Sequence, residues 1–125
     1  MRLTNEIKVY IDKKVRELYK EKLAEIGKQL DDESAKIKEV ENELFEQARN
    51  KLSVFGIDLS RDQFNVTFCG YHGVKTAAAE ELWEQKCEIN RKIADTIESI
   101  YIELCLGGTK KDIDRLLTEA AEAAE

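Results

Sequence analysis

The hydrophobic positions of the first fifty residues are spaced as on one face of an α-helix. From Ile7 to Ala48 they lie three, four or seven residues apart, which is the spacing that an amphipathic helix requires. Thr4, directly before this run, is a candidate N-cap because its hydroxyl can accept a hydrogen bond from the first helical turn. The pattern therefore predicts helical structure through residues 1–52.

Gly27 and the polar residues 31–34 leave open whether this segment is one helix or a helical hairpin. These residues could end one helix and start another. Against a break, the apolar stripe keeps its phase across them, and four of its members recur every eleven residues: Val15, Ile26, Ile37 and Ala48. Such a period keeps a stripe nearly straight along a helix. We favour one continuous helix, with the hairpin as the alternative.

A continuous first helix would also predict self-association. At 1.5 Å per residue, a helix of this length spans roughly 70 Å. A chain of 125 residues has too few other residues to cover an apolar stripe of that length. A homo-oligomer with a coiled-coil-like arrangement is the expected consequence.

The helical pattern stops in residues 53–75. Gly56 is a candidate helix stop, since glycine adopts the left-handed conformation that often follows a last helical turn. Three apolar residues then alternate with polar ones: Phe64, Val66 and Phe68. This alternation predicts a short β-strand over Phe64–Cys69. Its pairing partner would be Ser53–Ile57, giving a hairpin insert within residues 53–74, or the same strand of another subunit.

A second long helix is predicted from an N-cap at Thr76 to residue 106, with Gly107 and Gly108 as its stop. Its first apolar face contains Leu82, Lys86, Ile89, Ile93, Ile97, Ile100 and Leu104. A second face, about 100° around the helix, contains Trp83, Cys87, Ala94, Tyr101 and Cys105. An apolar arc this wide predicts a central helix buried on two faces.

The last predicted helix occupies residues 109–125, where Thr109 and Asp112 have the spacing of a capping box. Neither a linker nor an internal repeat divides the chain. We therefore predict a single mainly α-helical domain over residues 1–125: a long-helix bundle with one short β insert.

Composition limits the compartments in which the protein could work and the partners that it could bind. The net charge of −6 argues against general binding to nucleic acid, which needs a surplus of Lys and Arg. Cys69, Cys87 and Cys105 form no C-x-x-C pair, which indicates reduced thiols in a cytoplasm rather than a disulfide framework. The opening residues lack the apolar core of a signal peptide, and no apolar run reaches membrane-spanning length. We expect a cytoplasmic protein that does not enter a membrane.

One segment has the residue types of a ligand site: Gly70, Tyr71, His72, Gly73, Lys75 and Thr76. A strand, a glycine-rich loop, a Lys-Thr pair and a helix follow one another in phosphate-binding loops. The spacing departs from the Walker pattern because Val74 precedes Lys75 and the loop is one residue short. A tight turn is the simpler interpretation. Docking of a partner or of an anionic ligand such as a nucleotide is the functional alternative.

The same segment does not suggest catalysis or metal binding. His72 is the single histidine, and a histidine between glycines is typical of an exposed turn. Cys69 and His72 have no second ligand pair at zinc spacing. We predict no catalytic residue, no metal and no cofactor.

The first seven residues, Met-Arg-Leu-Thr-Asn-Glu-Ile, are similar to the start of small phage proteins grouped as the fifth family of nucleotide-modification-associated domains. In that family a long charged helix follows. The resemblance covers about the first third of the chain and implies a bacteriophage or prophage setting. It assigns no catalytic residue.

The sequence leads to three hypotheses about function. The leading hypothesis is a non-enzymatic phage-type protein that self-associates, and that binds and inhibits a host or viral macromolecule, as anti-defence proteins do. The second is a module that binds a nucleotide or nucleotide signal with the Gly70–Thr76 turn. The third, carried by the resemblance alone, is an accessory factor in nucleotide modification.

Overall fold

Long helices make up most of the chain in the computed structural model, which describes residues 1–69 and 76–125. The elements in chain order are α1 (Asn5–Ser53), α2 (Arg61–Phe64), a π-helical turn (Asn65–Cys69), α3 (Ala77–Cys105) and α4 (Lys110–Ala124). The prediction of a mainly α-helical protein is confirmed. The chain divides into two compact units, residues 1–27 with 84–125, and residues 28–83. The single-domain prediction stays a prediction.

The first segment is one helix rather than a hairpin, with Gly27 inside it. At its start, the hydroxyl of Thr4 accepts a hydrogen bond from the amide of Ile7 (3.3 Å), so the predicted N-cap is confirmed. The eleven-residue series is buried or half-buried at every member: Val15, Ile26, Ile37 and Ala48. A glycine in a helix costs only about 1 kcal/mol relative to alanine, which is too little to interrupt a stripe with a constant phase.

α1 ends in a Schellman motif, the hydrogen-bonded turn that often closes a helix. The amide of Ile57 donates to the carbonyl of Leu52 (3.1 Å), and the amide of Gly56 donates to that of Ser53 (3.0 Å). Gly56 has φ +75°, the left-handed conformation that the motif needs and that glycine adopts without steric cost. The predicted stop is confirmed. Because residues 54–56 form this turn, the proposed strand Ser53–Ile57 is wrong.

The strand predicted for Phe64–Cys69 is also wrong, because this segment is helical. Ser60 caps α2 by accepting a hydrogen bond from the amide of Gln63 (3.2 Å). Phe64 is 1% exposed and Val66 is 80% exposed. Residues two apart share a face in a strand but point to different sides in a helix. An alternation of only three apolar residues did not outweigh the cap directly before it.

The unit formed by residues 1–27 and 84–125 has one apolar core, to which three helices contribute. Its buried members are Ile11, Val15 and Tyr19 from α1, Ile93, Ile97, Ile100 and Leu104 from α3, and Ile113 and Leu116 from α4. Each such side chain contributes about 1.5–3 kcal/mol on burial. α3 therefore packs against two neighbouring helices with the first of its two predicted faces.

The second predicted face of α3 is not buried. Trp83 is 57% exposed, Cys87 and Cys105 are exposed, and Ala94 is exposed as well. Tyr101 alone is half-buried. The prediction of two buried faces is wrong because the α1 and α4 side chains of this unit pack onto one and the same stripe of α3.

Tyr101 links α3 to α1 at the edge of this core. Its hydroxyl donates to the carboxylate of Asp12 and lies 3.0 Å from the carbonyl oxygen of Lys8. Burial of the phenol, together with the hydrogen bond to Asp12 and its negative charge, raises the pKa of Tyr101 to about 12. All three causes disfavour the phenolate. The contact is therefore strongest while Tyr101 keeps its proton.

The junction between α3 and α4 depends on two glycines and a cap. Gly107 has φ +129°, and a Cβ on Gly108 would lie 2.8 Å from the Cα of Leu104. The amide of Thr109 donates to the carboxylate of Asp112 (2.8 Å), which is half of the predicted capping box. This hydrogen bond holds the pKa of Asp112 below its usual value.

The assigned core can be tested by truncating the buried Leu104 and, as a control, the exposed Leu106. Leu104 is 0% exposed and Leu106 is 82% exposed. We expect Leu104→Ala to lower the free energy of unfolding by about 2–5 kcal/mol, because it leaves a cavity. Leu106→Ala should change it by less than about 0.5 kcal/mol. Urea unfolding followed by circular dichroism measures both, and equal losses would contradict the assigned core.

The raised pKa of Tyr101 predicts how stability depends on alkaline pH. The folded chain holds this proton to about pH 12, whereas an unfolded tyrosine releases it near pH 10. The stabilisation is therefore complete below pH 10 and is lost as pH rises towards 12. Tyr101→Phe should flatten the fall in unfolding free energy over this interval. Phenolate absorbance and urea unfolding test it, with Tyr10→Phe as the control for loss of one phenol.

Candidate partner-binding surface

Three large apolar side chains are exposed together where α1 ends. Val54 is 82% exposed, Phe55 is 80% exposed and Ile57 is 50% exposed. With Gly56 between them they form what we call the apolar tip, residues 54–57. Single exposed apolar residues are common on soluble proteins, but adjacent ones mark surfaces that bind a partner.

The backbone of the apolar tip is held by its own hydrogen bonds. The amide of Phe55 donates to the carbonyl of Leu52 (3.0 Å), which also accepts from the amide of Ile57. Because both amides donate to the same carbonyl, the chain folds tightly back over the last helical turn. The exposed side chains are therefore presented on an ordered turn, so less conformational entropy is lost when a partner binds.

Behind the tip, the chain returns to α1 through a small aromatic core. Leu59 is 6% exposed and Phe64 is 1% exposed. The rings of Phe45 and Phe64 meet edge to face, with centroids 5.4 Å apart and planes at 64°, a geometry that aromatic pairs prefer. This core anchors the segment that follows the tip and leaves Val54 and Phe55 outside it.

Two arginines lie over this aromatic core. The guanidinium of Arg61 is 5.1 Å from the ring centroid of Phe45 and 5.8 Å from that of Phe64. Arg49 is 5.8 Å from the Phe45 centroid and forms an ion pair with Glu46 (2.9 Å). Stacking on aromatic rings restricts the guanidinium groups. Arginines placed in this way often contribute strongly to protein interfaces.

The charges near the tip are balanced. Residues 46–62 contain three acidic and three basic side chains. The tip itself carries no charged side chain, and Lys51 and Asp58 are its nearest charged neighbours in sequence. The apolar side chains, rather than a net charge, therefore distinguish this surface.

Of the six residues predicted as a ligand site, five lie outside the described residues: Gly70, Tyr71, His72, Gly73 and Lys75. Thr76 is described and is the N-cap of α3, as predicted. Its hydroxyl accepts a hydrogen bond from the amide of Ala79 (3.1 Å), and its carbonyl accepts one from the amide of Glu80 (3.1 Å). The hydroxyl of Thr76 is thus engaged by its own helix. Nucleotide or anion binding by this segment stays a prediction.

Among residues 1–69 and 76–125, no three His, Cys, Asp or Glu side chains are grouped closely enough to hold a metal ion. None of the helices described is both long enough and apolar enough to cross a membrane.

The sequence prediction missed the apolar tip because it assigned these residues to a strand. A usable signal was present. Val54 and Ile57, close to the helix stop Gly56, depart from the spacing of the α1 stripe, whereas Phe55 keeps it, seven residues after Ala48. The spacing therefore signalled exposure for the first two and not for Phe55. Large apolar residues at a helix stop, out of phase with the buried face, indicate exposure rather than a paired strand.

No family model, no curated protein and no solved structure matches this chain. The resemblance to the phage family therefore rests on residues 1–7 and stays a prediction. The case for a function is carried by the surface described above.

Two glycine substitutions with opposite expected signs test the conformation of the tip. Gly56→Ala places a Cβ in the left-handed region at φ +75° and should destabilise the chain by about 1–2 kcal/mol. Gly27→Ala lies inside α1, where an added Cβ meets nothing within 4 Å, and should stabilise it by about 0.5–1 kcal/mol. Thermal unfolding measures the change in stability of each variant. Two shifts of the same sign would mean that α1 does not end as described.

Proposed function

We propose that this chain is a non-enzymatic interaction protein that binds another protein through the apolar tip. The observation that carries the proposal is the 80% exposure of Phe55 between two further exposed apolar side chains. Covering an exposed aromatic side chain with a partner pocket removes its apolar surface from water, which lowers the free energy of the complex.

The energetics suit insertion of the tip into a pocket. Full burial of a side chain of this size contributes about 1.5–3 kcal/mol, and the tip offers three of them: Val54, Phe55 and Ile57. Interface energy is usually concentrated in a few such residues near the centre of the contact. The arginines stacked on Phe45 and Phe64 stand behind the tip as candidates for polar contacts around it.

The biological setting we propose comes from the resemblance of residues 1–7 to phage proteins. In that setting the partner is a host or viral macromolecule of the bacterial cytoplasm, and binding inhibits it. We also propose that the chain self-associates, which would give each assembly more than one apolar tip. Two tips that reach two sites at once raise the overall avidity without any new kind of contact.

A matched pair of charge insertions tests the proposed binding surface. Phe55→Asp places a charge in the tip. Val9→Asp places a charge at a different exposed apolar residue, in the first half of α1, whose side chain is 66% exposed. Immobilised wild-type chain and both variants are incubated with bacterial lysate, and retained proteins are identified by mass spectrometry. The candidate partner is then purified and titrated against all three chains.

We expect the purified partner to bind the wild type and Val9→Asp alike, and to bind Phe55→Asp at least tenfold more weakly. A tenfold loss corresponds to about 1.4 kcal/mol, less than the burial of one aromatic side chain contributes. Thermal unfolding must show both variants folded. Unchanged binding by Phe55→Asp, or no stoichiometric partner at all, would overturn the proposal.

A further inference from the structure

The two halves of α1 are buried to different degrees. In the first half, three side chains spaced four residues apart are at most 6% exposed: Ile11, Val15 and Tyr19. In the second half, three side chains at the same spacing are only half-buried: Ile37, Glu41 and Phe45. Most of the stability of a helix in a protein comes from packing of its apolar face rather than from helix propensity. Packing therefore holds the second half of α1 less firmly than the first.

The same contrast separates the two compact units. Among the residues that the structure describes, the unit of residues 28–83 has two buried apolar side chains, Leu59 and Phe64, and the other unit has ten. Seven large apolar side chains of residues 28–83 are exposed: Val40, Leu44, Val54, Phe55, Ile57, Val66 and Trp83. The unit that carries the apolar tip thus has a small core, with more large apolar side chains in water than inside it.

Charge adds to this difference. Residues 39–46 contain four glutamates and neither Lys nor Arg. Glu39 and Glu43 are four residues apart, a spacing at which like charges destabilise a helix. Ion pairs join residues 33 and 36, and residues 46 and 49, but pairs of this kind along a helix contribute little. They do not replace the apolar contacts that the second half of α1 lacks.

We propose that the second half of α1, residues 28–53, opens together with α2 and the aromatic core while residues 1–27 and 84–125 stay folded. Proteins open locally in cooperative units, and those with few buried apolar contacts open most readily. Gly27 lies at the edge between the two units, and glycine is among the residues that favour a helix least. α1 is then one helix with two stabilities.

Opening of this segment would regulate the apolar tip. The turn that forms the tip uses the carbonyl groups of Leu52 and Ser53, so it exists only while the last turn of α1 is folded. A partner that binds only the folded tip stabilises it by mass action, and its apparent affinity falls with the fraction of chains that are open. This consequence rests on the proposed function. The opening itself belongs to the free chain and is tested without a partner.

Hydrogen exchange of the full-length free chain compares the two halves of one helix. The amides of residues 11–19 and of residues 37–45 form matched windows, because each lies well inside α1 with helix on both sides. Fragmentation in the mass spectrometer resolves the windows. Exchange of the chain unfolded in urea supplies the intrinsic rate of each window, by which the measured rates are divided.

We expect residues 37–45 to exchange at least about a hundredfold faster than residues 11–19. A hundredfold ratio corresponds to about 2.8 kcal/mol in the free energy of opening, less than two further buried side chains contribute. Equal protection of the two windows, or stronger protection of residues 37–45, would overturn the proposal.

A core truncation shows whether the two windows open together. Leu104→Ala weakens the core that stays folded when residues 28–53 open. It should therefore speed exchange of residues 11–19 at least about tenfold, the effect of about 1.4 kcal/mol, and leave residues 37–45 within about twofold. If Leu104→Ala does not fold, Ile113→Val removes one methyl group from the same core, with about a fivefold effect expected. An equal increase in both windows means one cooperative unit and overturns the proposal.

The matching truncation in the small core is Phe64→Ala. It should speed exchange of residues 37–45 at least about tenfold, because it removes a buried ring that opens together with them. Circular dichroism must show that α1 remains helical in its first half. Unchanged exchange of residues 37–45, or loss of all protection along the whole chain, would contradict the assigned opening unit.

Limited proteolysis gives a readout that does not use exchange. Exposed Lys and Arg residues occur in both halves of α1: Lys13, Arg16 and Lys20, and Lys36, Lys38 and Lys51. Trypsin cleaves the opened chain rather than the intact helix. Relative to cleavage of denatured chain, we expect the sites of the second half to be cut at least about tenfold faster. First cuts in residues 13–20 would overturn the proposal, and either failure leaves the Phe55→Asp binding test unaffected.

Discussion

One apolar stripe on α3 organises the unit that contains both chain ends. Ile93, Ile97, Ile100 and Leu104 lie in one buried cluster with side chains of α1 and α4. Burial of apolar surface is the largest favourable contribution to folding. Because side chains of three helices share this cluster, truncation of a single buried member such as Leu104 is expected to weaken the unit as a whole.

The apolar tip depends on a different constraint, which is that α1 must end where its stripe ends. The carbonyl groups of a last helical turn need hydrogen-bond donors, and the turn at Gly56 supplies them from the chain itself. The turn places Val54 and Phe55 on its outside, while Leu59 and Phe64 return to the inside. Exposure of the tip thus follows from the way in which the helix is capped.

The sequence by itself determined the helices and their ends, because helical period and capping act within a few residues. The continuity of α1 through Gly27, the stop at Gly56 and the caps at Thr4 and Thr76 were all predictable in this way. Alternation around Phe64 was misleading, since three residues cannot distinguish a strand from a short capped helix. Only the tertiary structure decided which apolar residues are buried, because burial depends on how many neighbouring helices reach each face. A wide apolar arc on α3 predicted two covered faces, yet α1 and α4 share one of them.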